Sequence, residues 1–246
     1  MHDAALFDEL SQADWQPCLD DPCSGDWTQN WSLDGVRASV STSEQGMLVS
    51  AGPVAGDRAS HAVLWTQQSF RGDLKAEYDF QRMDTINRYV NIIYLHATGT
   101  GKGPYAEDIA AWRHLREIPY MATYFKHMNL LHVSYAAFGN KDNTPSDYIR
   151  ARRYPIDPPE RTFDDIALEG DVTDTGFFEP GRLQHITVLK RGPRLAVRVS
   201  NDEQTRCCFW DTSAFPDLDH GRIGLRQMCT RCSRYRNFRV SVCPPV

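Results

Sequence analysis

The chain has 246 residues, 41% hydrophobic and 24% charged, with 14 prolines and 16 glycines scattered without a period. That composition suits one large all-β domain or two small ones and excludes collagen-like and low-complexity chains. A formal net charge of −5 argues against a general nucleic-acid or anionic-membrane binder, and the chain has no run of about eighteen apolar residues to span a bilayer.

Met1 to Glu9 lacks the basic start and apolar core of a signal peptide, so a cytoplasmic location is expected unless a leader has been removed. Residues 1–45 read as an extension carrying the first strands. "GMLVSAG" and "HAVLWTQQSF" are short apolar runs rich in β-formers. "LKAEYDFQRM" alternates cleanly, with Leu74, Ala76, Tyr78 and Phe80 on one face and Lys75, Glu77, Asp79 and Gln81 on the other. "YVNIIYLHA" follows. One segment, Tyr105 to Ile118, reads as helix, with Ile109, Trp112 and Leu115 at three-residue spacing and Pro119 ending it. It makes residues 104–119 a helical insertion between strands.

"YFKHMNLLHVSYAAF" and "YIRARRY" read as two further strands, and Asp164 to Thr175 as an acidic loop. "HITVLKRGPRLAVRVSN" is a hairpin around a Gly-Pro turn, and "GRIGLRQM" and "RYRNFRVSV" close the chain. Many short strands without a βαβ rhythm predict a single domain over 1–246, a β-sandwich of two antiparallel sheets.

Seven cysteines, an odd number with Cys207 and Cys208 adjacent, suit a reduced compartment better than a disulfide framework. Cys229 and Cys232 form a CxxC, and Cys18 and Cys23 a looser pair. They make a four-thiolate zinc site only if the two pairs meet in space, and incidental thiols are the expectation. "GTGKG" lacks the spacing and Lys-Ser/Thr end of a phosphate loop and reads as a turn.

Period-two geometry assigns the faces. With Ile93 and Leu95 in the core, Tyr94 and His96 face the other way. Likewise His132 opposes Leu131 and Val133, while Tyr148, Arg150 and Arg152 oppose Ile149 and Ala151. Arg222 and Arg226 oppose Ile223 and Leu225. One open sheet face thus collects Tyr94, His96, His132, Arg150, Arg152 and Arg226, with Tyr124, His127, Asn129 and Trp112 nearby. For each residue the plain alternative is a structural histidine, a packing aromatic or a solvated arginine.

"GRIGLRQM" followed by "RYRNFRVSV", with the hairpin before them and "LWTQQSFRGDLKAEYDFQRMD" early in the chain, resembles the concanavalin A-like lectin/glucanase sandwiches. More narrowly, "RYVNIIYLHATGTGKGPYAEDIAAW", "YFKHMNLLHVSYAAF" and "YIRARRY" resemble domain-of-unknown-function family 1961, over about Gly46 to Val242. The resemblance implies a jelly-roll sandwich that handles pectin-type or other acidic sugars on a concave face. The Glu-x-Asp-x-x-Glu pattern of retaining glucanases is not met, because Glu77-Tyr-Asp79 continues as Phe-Gln-Arg.

The residues on that face suit elimination beside a carboxylate. His96 or His132 is the candidate base, Tyr94 or Tyr148 the candidate acid, and Arg150, Arg152 and Arg226 the grip on the acid group. Tyr124, His127, Asn129 and Trp112 are further candidates for contacting the sugar. The expected reading is a carbohydrate-active enzyme, lyase or dehydratase, working on short uronic-acid-containing oligosaccharides. The alternatives are a glycoside hydrolase on the same scaffold, which needs two carboxylates about 5 to 10 Å apart, and a non-catalytic lectin-like module. No cofactor is expected beyond a structural calcium, for which Asp164, Asp165 and Asp171 are candidates. The expected partner is an acidic oligosaccharide rather than nucleic acid or membrane, with self-association into a homodimer left open.

Overall fold

A computed structural model describes residues 2–243 apart from 142 and 159. The strands in chain order are β1 (Gln16–Asp21), β2 (Trp31–Asp34), β3 (Ser39–Ser43), β4 (Gly46–Ser50), β5 (Ala62–Thr66), β6 (Phe70–Arg71), β7 (Asp73–Arg82) and β8 (Asn91–Gly99). They continue with β9 (Met128–Ala137), β10 (Tyr148–Tyr154), β11 (Val172–Thr173), β12 (Leu183–Arg191), β13 (Arg194–Ser200), β14 (Thr205–Asp211), β15 (His220–Gln227) and β16 (Cys232–Cys243). One sheet runs β14-β13-β12-β7-β16-β4-β3, with β1 also on β16. The other runs β11-β10-β9-β8-β15-β5-β2, with β6 also on β15. Every pairing is antiparallel, so the expected two-sheet sandwich is the fold.

The core follows from the alternation. In β7, burial switches at every residue, and Leu74, Ala76, Tyr78 and Phe80 all enter the space between the sheets. There they meet Ile93 and Leu95 of β8, Leu131, Val133 and Tyr135 of β9, and Ile223 and Leu225 of β15. Large rings fill the middle. Tyr78, Phe80, Tyr135 and Tyr235 lie at centroid distances of 5.0 to 6.2 Å, mostly tilted or edge-on, and the Tyr135 and Tyr235 hydroxyls meet at 3.3 Å. Each buried aromatic of this kind contributes roughly 1.5–3 kcal/mol by leaving water.

Two helices add to the expected one. α1 (His2–Ser11) lays Phe7 on Leu189 and Ala196, on the outer side of the first sheet. α2 (Met121–His127) precedes β9 where a strand is expected. Met121, Tyr124, Phe125 and Met128 are spaced i, i+3, i+4, i+7, and all four pack in one apolar cluster; that is a helical stripe. The expected helix is instead a 3₁₀ segment, Ile109–Arg116, broken at Trp112 where the backbone leaves helical geometry.

These pieces form a roof. The 3₁₀ segment, α2 and residues 155–166 cover the outer face of the second sheet and bury a second cluster that includes Val63, Trp65, Ile92, Tyr94, Leu130 and Tyr154. The sheet face expected to be open is therefore an interior. Among the described residues no helix is long and apolar enough to cross a membrane.

Candidate functional site

Cross-strand register sets the floor under the roof. Arg152 of β10 stands opposite His132 of β9, His132 opposite Tyr94 of β8, and Tyr94 opposite Gly224 of β15. A second row runs Arg150, Ser134, Ile92, Arg226. With strands about 4.8 Å apart, the two rows place five of the expected residues on one face: Tyr94, His132, Arg150, Arg152 and Arg226. Gly224 matters here. A Cβ on it would come 2.5 Å from the Trp65 ring, and its absence lets Trp65 lie nearly parallel to Tyr94 and Tyr124, at 5.6 and 6.3 Å.

His96 is not with them, a correction to the face assignment. A bulge between Leu95 and Thr98 breaks the register, and His96 takes a φ of 51°. Its Nδ1 lies 3.1 Å from the Leu218 carbonyl. Burial, together with the Lys190 charge, lowers its pKa to about 4, so it is neutral. Gly221 permits this turn: at φ 142°, any Cβ would stand 2.2 Å from the His96 carbonyl carbon.

The floor residues are sealed. Tyr94 is fully buried, its hydroxyl 3.8 Å from the Met121 sulfur of α2. His132 is 2% exposed; its Nδ1 lies 2.7 Å from the Tyr154 hydroxyl and its Nε2 2.6 Å from Ser134 Oγ. Burial, with Arg152 and Arg226 adding repulsion, holds the His132 pKa well below the usual value, so the ring is neutral with both nitrogens engaged. Tyr124 donates to Asp34 Oδ2 at 3.1 Å. That oxygen also accepts from Trp65 Nε1 and Arg116 Nε, each at 2.8 Å.

Arg226 is fully buried. Its Nη2 donates to His61 Nδ1 at 2.7 Å and to the Pro119 carbonyl at 2.6 Å, and the guanidinium lies 4.7 Å from the Tyr124 ring centre. An arginine only donates, so His61 accepts and is neutral. Burial, then the Arg226 charge, lowers its pKa to about 3.

Other expected residues lie at the edges. Tyr148 is half-buried under the Arg150 guanidinium at 4.7 Å, and Arg150 is held by Asp171. Asn129 donates to the Gly99 carbonyl at 3.2 Å, which fixes the strand end. Trp112 is no stacking platform. It is 1% exposed, donates to the Ala106 carbonyl at 2.8 Å and packs its face against Arg116 at 4.2 Å.

The candidate metal ligands are not assembled among the described residues. β1 puts Cys18 beside Val240 and Ser241, whereas Cys232 lies opposite Ser50; at about 3.3 Å per residue that is about 25 Å along β16. In the acidic loop, Asp165 holds Thr162 and Asp171 holds Arg150. Among the described residues no group of three or more His, Cys, Asp or Glu is placed to hold a metal ion.

The accessible feature lies on the roof itself. A cleft of about 710 Å³ opens between residues 100–105, the end of α2 and residues 155–163. Its walls are Tyr105, Phe125, His127, Ile156 and Phe163, and Tyr105 and His127 stack face to face at 3.7 Å and 7°. Burial and Lys126 hold the His127 pKa below its ordinary value, so near neutral pH the stack is between uncharged rings. Lys102, Lys126 and Arg161 stand against Asp157, which pairs with Lys102 at 3.3 Å. Phe163 joins cleft and floor. It packs 5.4 Å from Phe125 and 6.1 Å from Tyr154, and Arg152 lies 4.2 Å from its ring centre.

Of the cleft, the expectation held His127 alone. Tyr105 and Lys102 were visible in the Gly-rich turn "TGTGKGPY", where functional side chains concentrate at strand ends. Phe163 and Arg161 sit in a segment with no periodic signal.

No family model and no curated protein matches the chain. Solved structures do match. A Bacillus subtilis protein of unknown function with a galectin-like fold aligns at a TM-score of 0.71 and 17% identity, over 93% of this chain and 99% of its own. The VIP36 exoplasmic/lumenal domain in its Ca²⁺/Man2-bound form aligns at a TM-score of 0.56 and 12% identity, over 93% and 88%. The Emp47p carbohydrate recognition domain aligns at 0.50 and 12%, over 86% and 87%. Together with the sheet topology, these likenesses give the chain a galectin-like, concanavalin-like lectin fold.

Proposed function

We propose that the protein is a carbohydrate-binding, lectin-like module of the domain-of-unknown-function family 1961 type, and that its sugar site is the roof cleft. The observation that carries this reading is the stacked Tyr105–His127 pair facing Phe125 and Phe163 across an accessible cavity. Apolar walls with a few polar groups at the rim are what a ligand pocket needs, and sugar C–H faces pack on aromatic rings. The Ca²⁺/Man2-bound form of the VIP36 domain and the carbohydrate recognition domain of Emp47p support the class of ligand. Three cations against one carboxylate at the rim favour an acidic sugar.

Elimination needs a base in reach of a ligand C–H, and His132 and Tyr94 lie beneath α2. Two carboxylates beside the roof are likewise engaged, Glu107 by His220 and Asp108 by Arg222. Binding therefore fits the geometry better than either reaction. A glycan array, followed by calorimetry on its hits, tests the reading. Binding that falls at least tenfold in both Tyr105→Ala and Phe163→Ala is expected. Binding that both variants retain, or an array without any hit, overturns it.

A further inference from the structure

Beneath the roof the floor carries two guanidiniums without an ion-pair partner among the described residues, Arg152 under Phe163 and Arg226 under Tyr124. Arg226 is fully buried, yet its Nε and Nη1 have no hydrogen-bond partner among the described residues. Its two bonds go to neutral acceptors, His61 and the Pro119 carbonyl. Arg152 is 6% exposed, its Nε is equally unpartnered, and its face rests on Phe163. Neither arginine forms an ion pair with any described residue. Two acids on this face are already paired: Asp34 with Arg116 at 2.8 Å, and Asp171, whose charge reaches Arg152, with Arg150.

Between the two arginines stand only neutral groups: His132, Tyr94, Tyr124 and Tyr154. Burial holds the three tyrosines above the ordinary phenol pKa, and so protonated. The Tyr94 hydroxyl faces Arg226 closely enough to feel its charge. Buried cations are ordinarily paired, because an ion out of water without a counter-ion costs several kcal/mol. Among the described residues no carboxylate pairs with either arginine, and the side chains between them are hydroxyls and rings.

We infer that the Arg152–Arg226 floor is a second, enclosed subsite that receives the carboxylate of an acidic sugar, reached from the roof cleft when Phe163 swings off Arg152. The inference rests on the carbohydrate-binding reading of that cleft and adds the ligand's charge and a residue-level receptor. Phe163 is the connection, since one ring is both the cleft wall and the cover of Arg152. Beside Arg226 the Tyr94 hydroxyl, 3.8 Å from the Met121 sulfur, supplies a hydrogen-bonding group for the carboxylate.

The test is calorimetry with a uronic-acid disaccharide and its carboxyl-reduced, neutral counterpart. In the wild type the acid should bind at least tenfold more tightly. Arg226→Gln and Arg152→Gln should each remove that preference, lowering affinity for the acid at least tenfold more than affinity for the neutral sugar. Tyr105→Ala should weaken both sugars together. Unchanged preference in both arginine variants overturns the subsite while leaving the cleft assignment intact. Failure of both sugars to bind the wild type overturns both readings.

Arginine side-chain ¹⁵N spectra of the wild type guard against variants that fail to fold. Two Nε–H resonances should move on adding the acid and stay still with the neutral sugar. Acetate or inorganic phosphate moving them equally at the same concentration would make the floor a plain anion site and overturn the sugar-acid assignment.

Discussion

Six arginines are buried among the described residues, and two pairs of them are treated differently. Arg82 and Arg231 share Asp84, with Nε–O distances of 3.1 and 3.0 Å. Both Nη atoms of Arg82 and the Nη1 of Arg231 donate to the carbonyls of Phe178, Ile86, Tyr89 and Ala136, Arg231 Nη2 has no partner among the described residues, and the Cys232 amide also donates to Asp84. That knot ties β7, the approach to β8, the end of β9 and the start of β16 together, and its charges are compensated within the chain. Arg152 and Arg226 are as deeply placed but meet only neutral acceptors, rings and their own orphaned N–H groups. Within these pairs the same residue type is a structural tie where a carboxylate comes with it, and meets only neutral acceptors where none does.

The sharpest way to break that comparison is to remove the shared acid. Asp84→Ala should cost about 3–5 kcal/mol in urea unfolding, because it strands two buried guanidiniums. Arg226→Met should cost no more than about 1 kcal/mol, since a similar-sized apolar residue in place of a poorly paired buried charge is often neutral. Equal losses in the two variants would show that Arg226 is as structural as Arg82.

Gly224→Ala probes the ring stack above the floor. Its Cβ would sit 2.5 Å from the Trp65 ring, and overpacking of this kind costs about 1–3 kcal/mol. A lowered melting temperature together with a changed near-ultraviolet signal from Trp65 is the expected result, and a protein indistinguishable from wild type in both would refute the close packing.

A smaller effect comes from pH. His61, at about 3, His96, at about 4, and His132, well below the ordinary value, are all depressed by burial. A depressed histidine contributes stability that is present in full above the unfolded value near 6.5. The contribution is lost as pH falls toward the folded value, because only the unfolded chain takes the proton. Each fully depressed histidine adds about 1.4 kcal/mol of lost stability per pH unit below about 6.5. His132→Gln should flatten the fall in urea midpoint between pH 6.5 and 5 by about one group's share; an unchanged slope would mean that the ring already titrates in the folded protein.

The smallest expected effect concerns a clasp at the roof edge. His220 lies between Glu107 of the roof and Asp219, 2.7 Å from the latter, and both raise its pKa, Asp219 the more. A raised histidine has the opposite sign: its support is present below about 6.5 and fades as pH rises through the folded value. The protection factors of residues 105–118, corrected for the intrinsic base-catalysed exchange rate, should therefore fall above neutrality in the wild type and stay level across that range in His220→Gln.

Much of the sandwich was legible because strand periodicity is local. Leu74 to Phe80, Ile93 and Leu95, and Ile223 and Leu225 face the core as their alternation requires, and register then brought Arg152, His132 and Tyr94 into one row. α2 was legible too, since Met121, Tyr124, Phe125 and Met128 keep a helical stripe. It was read as strand because it runs directly into β9, where Met128 already has extended dihedrals. His96 escaped because a bulge is a backbone event: one left-handed residue reverses a face without altering the apolar pattern.

The amino-acid sequence by itself determined the two-sheet sandwich, the inner faces of its strands and the polar, aromatic and cationic character of one outer face. Each follows from side-chain period and residue chemistry. Only the tertiary structure decided that this face is roofed, that the accessible walls come from Tyr105, His127 and Phe163, and that Arg226 is buried without an acid while Arg82 and Arg231 have Asp84. Those outcomes depend on which distant segments meet, and long-range contact leaves no local pattern along the chain.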